Sequence, residues 1–192
     1  MATKPLPSQE VLRQLLDYDP ETGKLFWRAR TADQMHVTDA RGPSWAANQW
    51  NSKNAGKEAF TASDARGYLH GKVHGTKYQA HRVIWKHVYG ADPDQVDHIN
   101  GLQSDNRLSN LRNCNNEQNS RNYAKPAGKS SKYRGVCWVK RDDAWAARIS
   151  AGALGKINIG YFDDEVEAAK AYDRKAVELH GEFATLNFPT EA

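Results

Sequence analysis

Val96-Asp97-His98-Ile99-Asn100-Gly101 is the stretch that decides the fold of the first part of this 192-residue chain. An aspartate and a histidine lie side by side after an apolar residue, and a glycine that permits a tight turn follows. The polar run continues with Asp105-Asn106-Arg107-Leu108-Ser109-Asn110-Leu111-Arg112 and then Asn116-Glu117-Gln118-Asn119-Ser120-Arg121-Asn122. A histidine, carboxylates and several amides this close together favour a catalytic or metal-binding centre between Asp97 and Asn122.

Phosphodiester hydrolysis needs the residue types that this cluster contains. A neutral imidazole such as His98 can take a proton from water near pH 7. A carboxylate such as Asp97 can hold a hard divalent cation, and an asparagine side-chain oxygen can share that cation. Neighbouring strand residues face opposite sides of a sheet, so these two side chains converge only where the chain twists. The alternative interpretation is a polar turn in which the asparagines cap loops and helix ends.

The pattern Asp-His-Ile-x-Gly, Asn-x-Leu-x-Asn-Leu-Arg and Asn-x-x-Asn resembles the HNH, or ββα-metal, nucleases, in the variant of phage and intron-encoded homing endonucleases. The resemblance implies that His98 is the general base and Asp97 a metal ligand. It also implies that Asn110, twelve positions after His98, orients the base and the loop. Asn119, twenty-one positions after His98, would be the second ligand, with Asn122 as a weaker alternative. Amide oxygen suits hard cations, so the expected ion is Mg²⁺, with Mn²⁺ as a substitute.

Basic side chains flank this motif. Arg107, Arg112 and Arg121 are predicted to contact DNA phosphates, as cations beside a DNA-cutting centre do, and solvated surface charges are the alternative. A further histidine, His81, is predicted to buttress the centre or touch phosphate. A structural histidine that opens a helix is the favoured alternative for that residue.

The chain is predicted to fold as two modules. Residues 1–66 form an N-terminal subdomain that packs on a nuclease core of residues 67–123. Residues 124–132, rich in Pro, Gly, Ser and Lys, are predicted to be a flexible basic linker. Residues 133–189 form the second module.

Local signals place several elements of the first module. Ser8 can cap a short helix. A long loop anchored by aromatic residues is predicted over Thr31–Ala65, which is rich in Asn, Gly, Ser and Ala. A hairpin turning at His74-Gly75-Thr76 then leads into an apolar helix closed by Gly90.

The second module combines a basic sheet with an acidic helix. Nine Lys and Arg against two Asp lie in Arg121–Lys156, whereas three basic residues against eight acids follow Lys156. Period-two alternation predicts three short strands, about Tyr133–Val139, Ala144–Ser150 and Ile157–Tyr161, and a helix follows from about Asp164 to His180. A small sheet that turns its Arg and Lys outward can enter a DNA major groove.

This module resembles the plant ethylene-response-factor (Apetala-type) DNA-binding domain over Tyr133–Pro189. The similarity lies in the segments Tyr133-Arg134-Gly135-Val136, Trp145-Ala146-Ala147, Ile159-Gly160-Tyr161-Phe162, Glu167–Asp173 and Leu186-Asn187-Phe188-Pro189.

That family reads DNA with its three-stranded sheet, and the resemblance implies which side chains would do so here. Several family arginines and tryptophans are replaced, by Cys137, Val139, Ser150 and Asn158, so the plant target sequence is not expected to apply. The implied DNA contacts are Arg134, Arg148, Ser150, Lys156 and Asn158.

Composition excludes other classes of protein. Cys114 and Cys137 are far apart, which argues against a disulfide scaffold or a cysteine zinc site and favours a reducing compartment. No apolar run approaches the about 18 residues of a membrane span, and the N-terminus lacks the apolar core of a secretion signal. The expectation is a cytoplasmic protein (host-cell cytoplasm if phage-encoded) with no membrane partner and no small-molecule cofactor.

Together these features predict an α+β protein, with a ββα-metal (HNH) core and a C-terminal three-stranded antiparallel sheet packed on one helix. The predicted function is site-directed cleavage of double-stranded DNA with one divalent ion, as in a homing endonuclease of a phage or mobile element. It would nick DNA as a monomer or cut both strands as a homodimer. A catalytically inactive DNA-binding regulator derived from such a nuclease is the alternative. RNA cleavage is a third class, which the duplex-DNA type of sheet disfavours.

Overall fold

A computed structural model describes residues 5–35, 40–115, 118, 130–152 and 155–188 of the chain. The chain divides into two compact units, Met1–Cys114 and Asn115–Ala192. In the described ranges no helix is both long and apolar enough to cross a membrane.

The first unit alternates short helices with short antiparallel strands. Its sheets have the strand orders β1-β2-β3, β4-β5-β6 and β7-β8. The elements are α1 (Gln9–Leu15), β1 (Leu16–Asp19), β2 (Lys24–Trp27), α2 (Gly42–Asn54), β3 (Glu58–Ala59), β4 (Ala62–Ser63), β5 (Leu69–Val73), β6 (Thr76–Gln79), α3 (Ala80–Tyr89), β7 (Gln95–His98) and β8 (Leu111–Cys114).

Local signals in the sequence locate α1 and α3 correctly. The Ser8 hydroxyl accepts a hydrogen bond from the amide of Val11 (3.3 Å) and so caps α1. Gly90 ends α3 in the left-handed conformation, with φ of 75°, where glycine carries little strain. The predicted hairpin is β5 and β6, turning at His74 and Gly75.

One apolar core joins the predicted N-terminal subdomain to the predicted nuclease core. Helix α1 packs against α3. The buried side chains of both segments form a single cluster: Leu12, Leu15, Leu16, Leu25, Ala59, Phe60, Val73, Ala80, Val83, Ile84, Val96 and Leu111. Because the two segments share this core, they cannot separate without exposing it to water.

The prediction of a long loop over Thr31–Ala65 is wrong. Helix α2 and strands β3 and β4 lie within it. Only Ala47 of α2 is buried, so the helix lacks the apolar stripe from which helices are recognised. The helix is attached by tertiary contacts instead. Trp50 stacks edge-on against Trp27 (5.7 Å), and Asn51 bonds the backbone N–H and carbonyl of Arg30.

Strands β7 and β8 pair as a hairpin, and two described residues that follow them, Asn115 and Gln118, bond each other. The amide of Asn115 donates to Gln118 Oε1 and the amide of Gln118 donates to Asn115 Oδ1, both at 2.9 Å. Such reciprocal bonds form a capping box, which begins a helix. The residues of the predicted α-element beyond Gln118 lie outside the described ranges.

The second unit is a sheet of order β11-β10-β9 packed on one helix. Ala147 of the sheet packs with Ala168 and Ala169 of the helix, and Ile149 packs with Tyr172 and Ala176. The predicted α+β fold class is confirmed in both modules. The elements are β9 (Val136–Val139), β10 (Ala144–Ser150), β11 (Lys156–Phe162) and α4 (Glu165–His180).

Part of the predicted linker belongs to this unit. Ser131 is buried, and its hydroxyl accepts a hydrogen bond from the amide of Tyr133 (3.0 Å). Ser130 accepts one from the amide of Trp138 in β9 (3.2 Å). These bonds tie residues 130–132 to the sheet, so the folded unit begins before Tyr133. Residues 124–129 of the predicted linker lie outside the described ranges.

Gly135 allows the loop before β9 to approach α4. Its φ is +75°, and a Cβ there would strike the Tyr172 ring and lie 2.7 Å from the carbonyl oxygen of Arg148. Gly155 has nearly the same φ, +76°, but a Cβ there would meet no atom of the described residues within 4 Å. Comparing the same substitution at the two glycines therefore distinguishes the effect of backbone strain from the effect of steric overlap.

We expect Gly135→Ala to destabilise the second unit more than Gly155→Ala does. Both substitutions bear the left-handed strain of about 1–2 kcal/mol. Gly135→Ala adds overpacking of about 1–3 kcal/mol. Urea titration with hydrogen exchange of the β10 amides measures the difference in unfolding free energy. Equal losses in the two variants would contradict the steric argument.

Candidate active site

The predicted centre lies at the end of β7. Cross-strand pairing places Asp97 opposite Arg112 and His98 opposite Leu111. The chain turns sharply after His98, whose carbonyl accepts the amide of Gly101 (2.9 Å). Asp97 and His98 are 6% and 3% exposed, so two consecutive polar residues are buried in the first unit.

His98 is hydrogen-bonded to an asparagine side chain. The distance from His98 Nε2 to Asn106 Oδ1 is 3.0 Å, and Asn106 is 1% exposed. Burial lowers the pKa of the His98 imidazole, while the bond to Asn106 and the charge of Asp97 oppose that shift. The ring is therefore uncharged near neutral pH and able to accept a proton.

Two aromatic rings enclose His98. His81 stacks edge-on against it, with ring centroids 5.2 Å apart, and Tyr68 lies 5.8 Å from it. Tyr68 also packs on His81 at 5.2 Å. These contacts restrict the space in which the His98 ring can turn.

His81 is buried and uncharged. Burial, with smaller contributions from His98 and Arg82, lowers the pKa of His81 to about 3. Its Nδ1 has no hydrogen-bond partner among the described residues. A neutral buried ring has no positive charge with which to attract phosphate. Its burial and its contact with His98 therefore favour a buttressing role over a phosphate contact.

Asp97 is paired with Arg112 across the hairpin. Asp97 Oδ2 accepts hydrogen bonds from Arg112 Nε (2.9 Å) and Nη2 (2.7 Å). The two side chains are 7% and 11% exposed. Arg112, predicted to touch DNA phosphate, therefore lies beside the predicted metal-ligand carboxylate instead of on an outer surface.

The donor chemistry at Asp97 suits a hard cation. A carboxylate can accept several bonds at its two oxygens, so pairing with Arg112 does not prevent Asp97 from serving as a cation ligand. Among the described residues no group of three or more His, Cys, Asp and Glu could hold a metal. A site that uses one carboxylate with amide oxygens has a different composition, and such oxygens suit Mg²⁺. Of the two predicted ligands the structure describes Asp97, and its carboxylate is of the type that suits the predicted ion.

Asn110 holds the loop that follows His98. Its Oδ1 accepts the amide of Asn100 (2.9 Å), and its Nδ2 donates to the carbonyl of Asp105 (2.8 Å). Its own carbonyl accepts the amide of Ile99 (2.9 Å). Asn110 therefore bonds the loop as predicted, whereas the residue that bonds the His98 ring is Asn106.

The remaining predicted residues of the centre divide into two groups. Arg107 is exposed and forms a two-pronged ion pair with Asp105, at 2.8 and 2.6 Å. The pair lowers the pKa of the Asp105 carboxyl well below its usual range. Asn119, Arg121 and Asn122 lie outside the described residues.

Four of the five predicted DNA contacts of the second unit share one sheet face, and the fifth, Arg134, does not lie in the sheet. Arg148 pairs with Asn158 and Ser150 pairs with Lys156 in the β10–β11 register, and all four are exposed. A register shift between Ala147 and Arg148 marks a bulge there. Arg134 is half-buried in the loop before β9, where its backbone is bonded to the Asn187 side chain.

Sequence reasoning missed Asn106 and Tyr68 as members of the site. Asn106 is the first asparagine of the quoted Asn-x-Leu-x-Asn-Leu-Arg pattern, so a signal existed without a role attached to it. Nothing in the sequence places Tyr68 beside His98, because it reaches that ring from a loop thirty positions earlier. Only the tertiary fold brings these side chains together.

Comparison with plant proteins finds similarity over a limited length. APETALA2-like protein 2 of Oryza sativa subsp. indica is 49% identical over 61 residues, which is 31% of this chain and 14% of the rice protein. The chain thus spans about one seventh of that relative.

Phage and viral proteins match longer stretches. Protein 3.8 of Escherichia phage T7 is 31% identical over 106 residues, 54% of this chain and 86% of the phage protein. Uncharacterized HNH endonuclease L560 of Acanthamoeba polyphaga mimivirus is 34% identical over 114 residues, 58% of each. The family profile described as HNH endonuclease matches residues 78–121, which include the β7–β8 hairpin. With its buried aspartate–histidine pair on that hairpin, the chain belongs to the HNH endonuclease family.

Proposed function

We propose that this protein is a site-directed DNA endonuclease that hydrolyses phosphodiester bonds by a one-metal HNH mechanism. We further propose that it serves a phage or mobile element as a homing endonuclease. The observation that carries the proposal is the buried Asp97–His98 pair, in which an uncharged imidazole lies beside a carboxylate already oriented by Arg112.

In this mechanism His98 is the general base. Its ring removes a proton from a water molecule as the water oxygen bonds to phosphorus and the bond to the leaving oxygen breaks. Asp97 and Asn119 would hold Mg²⁺, which would supply stabilisation of negative charge on the phosphate and on the leaving oxygen. Asn110 keeps the loop after His98 closed, and Arg112 keeps Asp97 directed.

Duplex DNA is the proposed partner, with the exposed sheet face of the second unit as its anchor. That face presents Arg148 and Lys156 beside Ser150 and Asn158, which supports contacts to phosphate and to base edges. The limited similarity to a plant APETALA2-like protein supports the same assignment. With one centre per chain, a monomer would nick DNA and a homodimer would cut both strands.

We expect His98→Ala to reduce plasmid nicking by about 10²–10⁴-fold, the usual contribution of a general base. DNA affinity, measured by electrophoretic mobility shift, should change little because the ring is buried. His74→Asn is the matched control, since His74 is exposed with φ of 46° and asparagine tolerates that conformation.

An active His98→Ala preparation would remove His98 from the mechanism. A wild-type protein that binds DNA but never nicks it, at any Mg²⁺ concentration, would instead identify the inactive regulator. Nicking of plasmid with and without Mg²⁺ separates these outcomes.

We expect Asp97→Asn to raise the Mg²⁺ concentration needed for half-maximal nicking by about tenfold or more, because ligand charge tunes cation affinity. EDTA should stop the wild-type reaction. Asp94→Asn is the control, since Asp94 is exposed three residues earlier. An unchanged Mg²⁺ requirement in Asp97→Asn would show that Asp97 does not hold the ion.

We expect Arg148→Ala with Lys156→Ala to weaken DNA binding in the full-length protein. If each side chain neutralises one phosphate, the slope of log affinity against log salt should fall by about 2. Lys170→Ala is the control, because Lys170 lies on α4 and pairs with Glu167. The same slope in the double variant as in the wild type would mean that this face does not touch phosphate.

A further inference from the structure

We infer that Asn106 is a positioning residue that determines which nitrogen of His98 carries the proton, and that the β1–β2 hairpin holds Asn106 in place. The inference rests on the proposed role of His98 as the base. On this inference the N-terminal segment helps to position the base, in addition to packing on the core.

Asn106 distinguishes the two ring nitrogens of His98. An amide oxygen can only accept a hydrogen bond, so Asn106 Oδ1 at 3.0 Å requires a proton on His98 Nε2. Nδ1 then keeps the lone pair and is the atom that can take a proton from water. Stacking on His81 and Tyr68 confines the ring but does not select between the two nitrogens.

Two hydrogen bonds hold the backbone on either side of the Asn106 α-carbon. The Asp105 carbonyl accepts Asn110 Nδ2 (2.8 Å), and the Asn106 carbonyl accepts the Tyr18 hydroxyl (2.9 Å). Both peptide groups that flank Asn106 are therefore restrained. One restraint comes from the family motif, and the other comes from β1, eighty-eight positions earlier.

The hairpin also contacts Asn106 directly. Gly23, between β1 and β2, has φ of +73°, and a Cβ there would strike the Arg107 nitrogen and lie 2.5 Å from the Asn106 carbonyl carbon. Burial raises the pKa of Tyr18 to about 12, so its hydroxyl stays protonated and continues to donate at every pH of interest. The Tyr18 hydroxyl thus remains a hydrogen-bond donor to the loop, and the absence of a side chain at Gly23 lets the hairpin approach the loop closely.

The chemistry predicts different results for variants with and without an acceptor at position 106. Asn106→Leu keeps the branched shape of the side chain but removes the acceptor, so the proton on His98 should redistribute toward Nδ1. Asn106→Asp keeps an oxygen acceptor and should retain the wild-type tautomer. Tyr18→Phe loosens the restraint without touching His98, so its effect should be smaller.

The experiment combines ¹⁵N NMR of histidine-labelled full-length protein with steady-state plasmid nicking. We expect Nε2–H for His98 in the wild type and in Asn106→Asp, and an increased Nδ1–H population in Asn106→Leu. Asn106→Leu should lower kcat by about 10–100-fold with unchanged KM, the usual cost of losing an outer hydrogen-bond partner. Asn106→Asp should stay within about tenfold of the wild type. Asn113→Leu, at an exposed asparagine of β8, should match the wild type.

A wild-type His98 with the proton on Nδ1 overturns the inference, and this measurement does not depend on the folding of any variant. The inference also fails if Asn106→Leu keeps Nε2–H and wild-type kcat. If the wild type shows Nε2–H but does not nick DNA, the proposed function fails while the positioning by Asn106 stands.

Discussion

The ion pair between Asp97 and Arg112 is the interaction on which the rest of the first unit depends. A carboxylate that is almost fully buried is costly unless a cation and hydrogen bonds compensate it, and removing one partner of such a pair costs about 3–5 kcal/mol. The pair spans β7 and β8, so it also holds the register that carries His98 into the interior. The same ion pair therefore supports both the proposed catalytic centre and the stability of the hairpin.

The histidine beside that pair is supported from three separate parts of the chain. Asn106 bonds its ring, His81 of α3 stacks on it, and Tyr68 packs from the loop before β5. Asn106 is in turn bonded by Tyr18 of β1. The N-terminal segment shares the apolar core and reaches the loop beside His98. Residues outside the HNH motif therefore also form the surroundings of His98.

Different interactions stabilise the second unit. Small side chains, Ala147, Ala168 and Ala169, allow β10 and α4 to approach closely, and buried Asp173 accepts the backbone amides of Asn187 and Phe188. The Asn187 side chain in turn forms hydrogen bonds with the backbone N–H and carbonyl of Arg134. The helix, the tail and the loop before β9 are thereby joined, which leaves the outer face of the sheet to present Arg148 and Lys156.

The sequence alone determined the features that depend on neighbouring residues: the capped helices α1 and α3, the alternating strands β10 and β11, and the Asp97–His98 pair. Periodicity, caps and motif spacing are local properties, so they can be recognised without coordinates. Only the tertiary structure decided that α2 is a helix, since it is held by Trp27 and Arg30 and not by an apolar stripe. It also placed Arg112 on Asp97 and Asn106 on His98, because those bonds depend on strand register and loop closure, which residue order does not encode locally.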